Sequence, residues 1–185
     1  MDVKRAIEER RAYRSLAPVE ITDDLVRELA EAAQLAPSCF NNQPARFVFV
    51  RNPEVLRRLC EALTAKNAWA KAASMIVAVA SRLDLDCAIV KREYYLFDTG
   101  LAVAFLVLRA TELGLVAHPI AGYKERKAKE ALGIPEDMRL ITLVIVGKHS
   151  KTIGPLLTEQ QAEVEKTRPE RKPLDKISFK EGYHA

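Results

Sequence analysis

The sequence predicts a layered fold of the α+β or α/β class, with a mixed central β-sheet flanked by helices. Three observations carry this expectation. Apolar residues recur at helical spacing in several stretches, about four short runs rich in β-branched or aromatic residues lie between them, and no internal repeat divides the chain. With 185 residues, 49% of them hydrophobic and 29% charged, the chain is long enough for one domain with a sizeable core.

The elements follow in order. Residues 3–10 read as a short helix. Thr22, Asp23 and Asp24 offer capping oxygens to a second helix, where Leu25, Leu29 and Ala33 recur up to about Leu35 before Pro37 ends it. Residues 46–50 (Arg-Phe-Val-Phe-Val) form the first strand. Asn52-Pro53 starts a helix, with Asn52 as its cap and Pro53 in the first turn. Residues 74–80 contain no charge and read as a strand buried on both faces. Residues from about 88 to 113 form the longest apolar-periodic segment, expected to be one central helix closed by Gly114. A short strand over 115–120, a charged helix over 124–132 and a buried strand over 139–146 complete the domain. The domain is assigned to residues 1–150. Residues 151–185 carry a polar helix over 155–166 and a basic tail with few apolar anchors, Leu174, Ile177 and Phe179. Such a tail cannot fold alone, and residues 151–185 are expected to form a C-terminal arm wrapped over a second subunit.

Composition narrows the function. A net charge of +4 is too mild for a dense nucleic-acid-binding surface. No apolar run reads as long enough to span a bilayer, and the charged N-terminal stretch lacks the apolar core of a secretion signal, so a cytoplasmic protein is expected. Three cysteines without a Cys-x-x-Cys pair argue against a disulfide framework or structural zinc. Cys60 and Cys87 read as core residues, and Cys39 as a small loop residue in preference to a redox group.

Three segments stand out chemically. Arg10, Arg11 and Arg14 carry guanidinium forks suited to phosphate oxygens, and a second basic cluster includes Lys166, Arg168, Arg171 and Lys172. The two clusters converge on one anion or form two solvated faces. Residues 36–44 (Ala-Pro-Ser-Cys-Phe-Asn-Asn-Gln-Pro) pack side-chain amides between stiffening prolines. They suit the edge of a planar ring with alternating carbonyl and N–H groups, or equally a plain turn. Residues 98–102 (Asp-Thr-Gly-Leu-Ala) place small residues in mid-helix, where a second helix approaches within the monomer or across an interface. The turn Pro119-Ile120-Ala121-Gly122 follows the third strand.

Taken together, these segments resemble the FMN-dependent nitroreductase family. Arg-Arg-x-x-Arg, Ala-Pro-Ser-x-x-Asn-x-Gln-Pro, Asp-Thr-Gly-x-Ala and Gly-Leu-…-Pro-Ile-x-Gly occur in the family's order and spacing, and Arg171-Lys172-Pro173-Leu174 looks like its C-terminal element. The resemblance implies an α+β fold, an intertwined homodimer and FMN at the subunit interface. It implies that Arg10 and Arg171 grip the phosphate, with Lys172 as a second contact and Arg11 in the same cluster. Arg14 would offset negative charge on the flavin. Pro37, Ser38, Asn41 and Gln43 would form the ring-binding loop, and Asn67 would face the ring's carbonyl edge. Ala121 and Gly122 would present backbone N–H groups, expected from the partner subunit.

The chain departs from the pattern at three points. Ala12 replaces a serine, Ala45 a tryptophan, and Ala121 a glutamate found in some members. The expected activity is hydride transfer from NAD(P)H through FMN to a small acceptor: a nitroaromatic, a quinone or a flavin. The alternatives are a non-catalytic FMN-binding or storage protein, and a flavin-destroying or dehalogenating relative. His118, His149 and His184 show no metal or triad spacing, and a structural role for His118 is preferred to proton shuttling.

Overall fold

The computed structural model describes residues 1–183, so His184 lies outside the described residues. The elements are α1 (Val3–Glu9), β1 (Leu16–Ala17), α2 (Asp23–Gln34), β2 (Arg46–Val50), α3 (Pro53–Cys60), β3 (Met75–Ser81), β4 (Ala88–Ile89), β5 (Arg92–Glu93), α4 (Tyr94–Glu112), β6 (Val116–Ile120), α5 (Glu125–Leu132), β7 (Arg139–His149) and α6 (Glu159–Lys166). The helix starts follow the side chains that satisfy orphan N–H groups. The Thr22 hydroxyl accepts from Leu25 N at 3.1 Å, and Asn52 Oδ1 from Glu54 N and Val55 N at 3.0 and 3.2 Å. Thr158 and Gln161 cap α6 reciprocally.

Strand β7 is the spine of the sheet. It pairs β3 on one side, β6 and then β1 on the other, and β2 lies outside β3. Alternation of side chains sends Ile76, Ala78, Leu143 and Ile145 to one face, where α3, α5 and Trp69 cover them. Met75, Val77, Val79, Val144 and Val146 go to the other face, under α2 and α4. Each such aliphatic side chain contributes about 1.5–3 kcal/mol by leaving water. Burial on both faces explains why β3 carries no charge: all seven of its residues are buried.

The structure corrects the sequence reading in four places. Every strand pair among the described residues is antiparallel, where a mixed sheet was expected. The excursion from β2 through α3 to β3 leaves and re-enters at one end of the sheet, since Val50 pairs with Ile76, so no parallel crossover forms. The central helix starts at Tyr94, and residues 88–93 instead fold as a β4–β5 hairpin around Val90 and Lys91, both at positive φ. Gly114, at φ 74, does close α4. Cys39 and Cys87 are joined by a disulfide, leaving Cys60 as the free thiol. An odd count excludes complete pairing, not one bridge. Finally, α4 is 19 residues long and apolar enough by length and composition to cross a membrane. A core helix passes the same test, and α4 packs against α2 and β6 while burying Asp98 and Thr99.

Candidate functional site: a cationic cleft and an amide loop

The chain's two ends meet at the β1–β6 edge of the sheet. Arg10, Arg11, Arg14, Arg168 and Arg171 line one cleft of about 390 Å³ between the segment after α1 and the end of α6. The neighbouring guanidinium groups of Arg168 and Arg171, after burial itself, hold the Arg10 pKa below its ordinary value. None of these five arginines forms an ion pair with a carboxylate among the described residues.

Two of the five hold the cleft together. The Arg11 guanidinium donates to the carbonyls of Glu165 and Thr167, at 3.1 and 2.6 Å, at the end of α6. It also lies over the Tyr13 ring, 4.5 Å from its centroid, and that ring stacks on His149 at 3.6 Å. Arg168 donates to the carbonyls of Glu8 and Arg10. The one carboxylate in the cleft, Glu165, is buried and accepts the backbone N–H groups of Arg14 and Ser15 at 2.5 and 3.1 Å. It fixes the backbone from which Arg14 projects. The side chains of Arg10, Arg14 and Arg171 donate no hydrogen bond to the described residues, so their donors remain available.

His118, on β6, supports this loop from below. Its Nδ1 lies 3.1 Å from the Tyr13 carbonyl and its ring stacks on Trp69 with centroids 4.8 Å apart. Burial, with Arg14 and Arg10 adding to it, lowers its pKa to about 4. The imidazole is therefore neutral near pH 7, and Nδ1 carries the proton it donates to the carbonyl.

Asn67 and the 121–122 turn belong to the same edge. Asn67 Nδ2 donates to the Gly122 carbonyl at 3.0 Å, and the Thr64 hydroxyl donates to it at 2.9 Å. A Cβ at Gly122 would collide with the Asn67 amide and stand 2.9 Å from Thr64 Oγ1, so a larger residue there would push both side chains off the Gly122 carbonyl. The sequence reading assigned Ala121 and Gly122 to the partner's half of the site. They follow β6, whose His118 lies against the Tyr13 carbonyl of the same chain.

The amide loop leaves from the opposite edge, before β2, three strand spacings or about 14 Å away. Pro37, Ser38 and Gln43 line a second cleft, also about 390 Å³, with Arg46, Asp98 and Ala102. Asn41 is exposed on the same loop. Phe40, Asn41 and Gln43 all adopt left-handed φ, of 47, 59 and 50°. Three ties hold them: the Ser38 hydroxyl accepts from Gln43 N at 2.9 Å, Asp98 Oδ2 accepts from Cys39 N at 2.6 Å, and the disulfide fixes Cys39. Ala12 and Lys172 are exposed, and Lys172 lies outside the cationic cleft. Sequence reasoning missed Glu165 and gave Arg168 no individual role. Nothing local marks a glutamate 151 residues away as the acceptor for Arg14 N.

Comparison with known proteins places this geometry. The family model described as "Nitroreductase family" matches residues 7–74 and 60–148. A protein of Archaeoglobus fulgidus named "Putative NADH dehydrogenase/NAD(P)H nitroreductase" is 32% identical over 144 residues, covering 75% of this chain and 80% of that protein. An "NADH dehydrogenase" of Thermus thermophilus is 26% identical over 177 residues, covering 80% and 86%. Among solved structures, one described as "the oxidoreductase containing FMN" superposes with a TM-score of 0.85 at 28% identity, covering 100% of this chain and 94% of that one. With the family model spanning most of the chain and the fold matching end to end, the chain belongs to the nitroreductase family.

Proposed function

We propose that this chain binds FMN between two copies of itself and works as an NAD(P)H-dependent oxidoreductase for small acceptors. The observation that carries the reading is the unpaired set of guanidinium groups at the β1–β6 edge. Arg10, Arg14 and Arg171 crowd together, with Arg10 partly desolvated, and no described carboxylate neutralises them. Such a donor set calls for an anion, and a phosphate monoester close to dianionic suits it. Arg10 and Arg171 hold the phosphate in this reading, while Arg14 meets negative charge that builds on the bound ring. Arg11 acts through the loop it anchors to α6. Lys172 adds long-range charge, and Ala12 leaves one hydroxyl contact unmade.

The site needs a second copy. On one chain the arginines and the amide loop leave from opposite edges of the sheet, so one small ligand reaches both only when a partner brings its Pro37, Ser38, Asn41 and Gln43. Asn67, Ala121 and Gly122 then share the arginine half. Exposed Val3, Ile7, Phe97 and Phe105 on α1 and α4 supply apolar surface for that contact. Of the 151–185 arm, α6 is tied to its own chain through Glu165 and Gln161, so residues 169–183, with Leu174 and Ile177 exposed at 76% and 59%, are the part assigned to lie over the partner.

When bound, FMN supplies hydride acceptance from NAD(P)H and reduction of a nitroaromatic, quinone or flavin at one face in turn, which gives ping-pong kinetics. The chain's own residues bind, orient and tune. The purified protein is expected to be yellow and dimeric, and NADH or NADPH to bleach it anaerobically. A colourless preparation that takes up no added FMN defeats the reading. Bound FMN that no nicotinamide reduces would favour storage instead.

A further inference from the structure

The amide loop is fastened to the approach of α4 by a linkage with chemistry of its own. Cys39 and Cys87 are disulfide-bonded, with Cα atoms 6.1 Å apart, and both are half-buried. An Asp86 carboxylate oxygen and the two sulfurs lie within 4.8 Å of one another. Asn42 Nδ2 reaches both Cys87 Sγ, at 3.4 Å, and Asp86 Oδ1, at 3.3 Å. Behind them sits Asp98, 4% exposed, accepting the Cys39 N–H at 2.6 Å. Asp86 Oδ2 is buried and meets no donor. Burial first, and Asp86 after it, raise Asp98 above the usual carboxylate range, against the opposing Cys39 N–H.

We propose that Cys39–Cys87 is a thiol–disulfide exchange site for an external dithiol, in which Asn42 receives the departing sulfur. A dithiol thiolate attacks Cys39 Sγ, and the Sγ–Sγ bond breaks. Cys87 leaves as a thiolate, steadied by the Asn42 N–H, and takes up a proton from solvent. The second thiol of the reagent, as its thiolate, then displaces Cys39 from the mixed disulfide. Cys39 also takes up one proton from solvent. Two electrons and two protons have passed from the dithiol to the protein, and the reagent leaves as its disulfide.

The second consequence rests on the FMN reading above. The bridge anchors the loop on which Phe40, Asn41 and Gln43 hold left-handed backbone without glycine. Opening it lets that backbone relax, which shifts Ser38, Asn41 and Gln43 from the ring-binding positions assigned to them. Exchange therefore sets how firmly FMN is held.

The test uses the full chain in buffers of reduced and oxidised dithiothreitol, with thiols counted after acid quench and denaturation. One thiol (Cys60) in oxidised buffer, three in reduced buffer, and a reversible passage between them with circular dichroism unchanged are expected. Three thiols throughout, or reduction only on unfolding, overturns the exchange site. Asn42→Ala, which removes the donor at Cys87 Sγ, should slow native reduction severalfold at fixed dithiothreitol, while Cys60→Ser leaves the rate unchanged. A wild-type rate in Asn42→Ala overturns the leaving-sulfur role, and this exposed position leaves the fold intact for the test. FMN should bind at least tenfold more weakly to the reduced form. Equal affinity overturns the coupling alone. No FMN binding in either state removes the functional reading and the coupling with it, while the thiol counts still decide the exchange site.

Discussion

At the β1–β6 edge, the arginine loop is held by what its own backbone can reach. Glu165 takes two N–H groups, His118 takes a carbonyl, and Arg11 and Arg168 tie the chain's ends through carbonyl oxygens. Its residues keep ordinary φ, and three guanidinium groups stay uncommitted. At the β2 edge, the amide loop holds three left-handed non-glycine residues and relies on a covalent bridge and a buried carboxyl. The comparison teaches how each half is prepared for a ligand. In the proposed reading, the first withholds the charge compensation that an anion would supply. The second holds a backbone shape that the loop alone would not keep, and so depends on its ties.

The largest effect expected from breaking this contrast is on the covalent side. Cys39 and Cys87 are 48 residues apart, so replacing both by serine should cost up to about 4 kcal/mol of stability under oxidising conditions in the chain-entropy account. Urea unfolding measures it, and a midpoint unchanged from the oxidised wild type would show that the bridge constrains little.

Next comes the histidine under the arginine loop. His118 is neutral in the fold, with its pKa lowered from 6.5 to about 4. The unfolded chain takes up a proton below pH 6.5 and the folded chain does not until about pH 4. The stability that goes with the neutral ring is therefore complete above pH 6.5 and is lost as pH falls through that window, by on the order of 3 kcal/mol. His118→Gln, which keeps a donor for the Tyr13 carbonyl, should flatten this part of the stability–pH curve. Curves that stay parallel between pH 6.5 and 4 would contradict the assignment.

The smallest effects separate uncommitted from committed arginines. Arg10→Ala should weaken FMN binding by about 1.5–3 kcal/mol, the range for a charge-assisted hydrogen bond, with unchanged unfolding. Arg11→Ala should show the reverse order, lowering thermal stability more than affinity, because its donors are spent on α6. Titration calorimetry and thermal melts on both variants decide this. Equal affinity losses would mean that the cleft does not divide the two as drawn here.

Much of the architecture was legible in the residues. Thr22, Asn52 and Gly114 marked helix ends because capping is local, satisfied within a few positions. The charge-free run at 74–80 announced a doubly covered strand for the same reason. The hairpin over 88–93 was not legible, because Ala88 and Ile89 continue the apolar rhythm of α4 while their backbone turns back. The roles of Arg11 and Glu165 were hidden as well, since their partners across the cleft lie 150 or more residues away.

By itself, the sequence determined the kinds of elements, the basic character of both termini, and the amide and proline content of the loop. Those properties belong to side chains and their near neighbours. Tertiary structure alone decided which arginines are free, which cysteines meet, that the strands all run antiparallel, and that the two halves of the site stand at opposite edges of one sheet. Each is a relation between distant segments, fixed by where burial and hydrogen bonding bring them together, and no local pattern encodes that meeting.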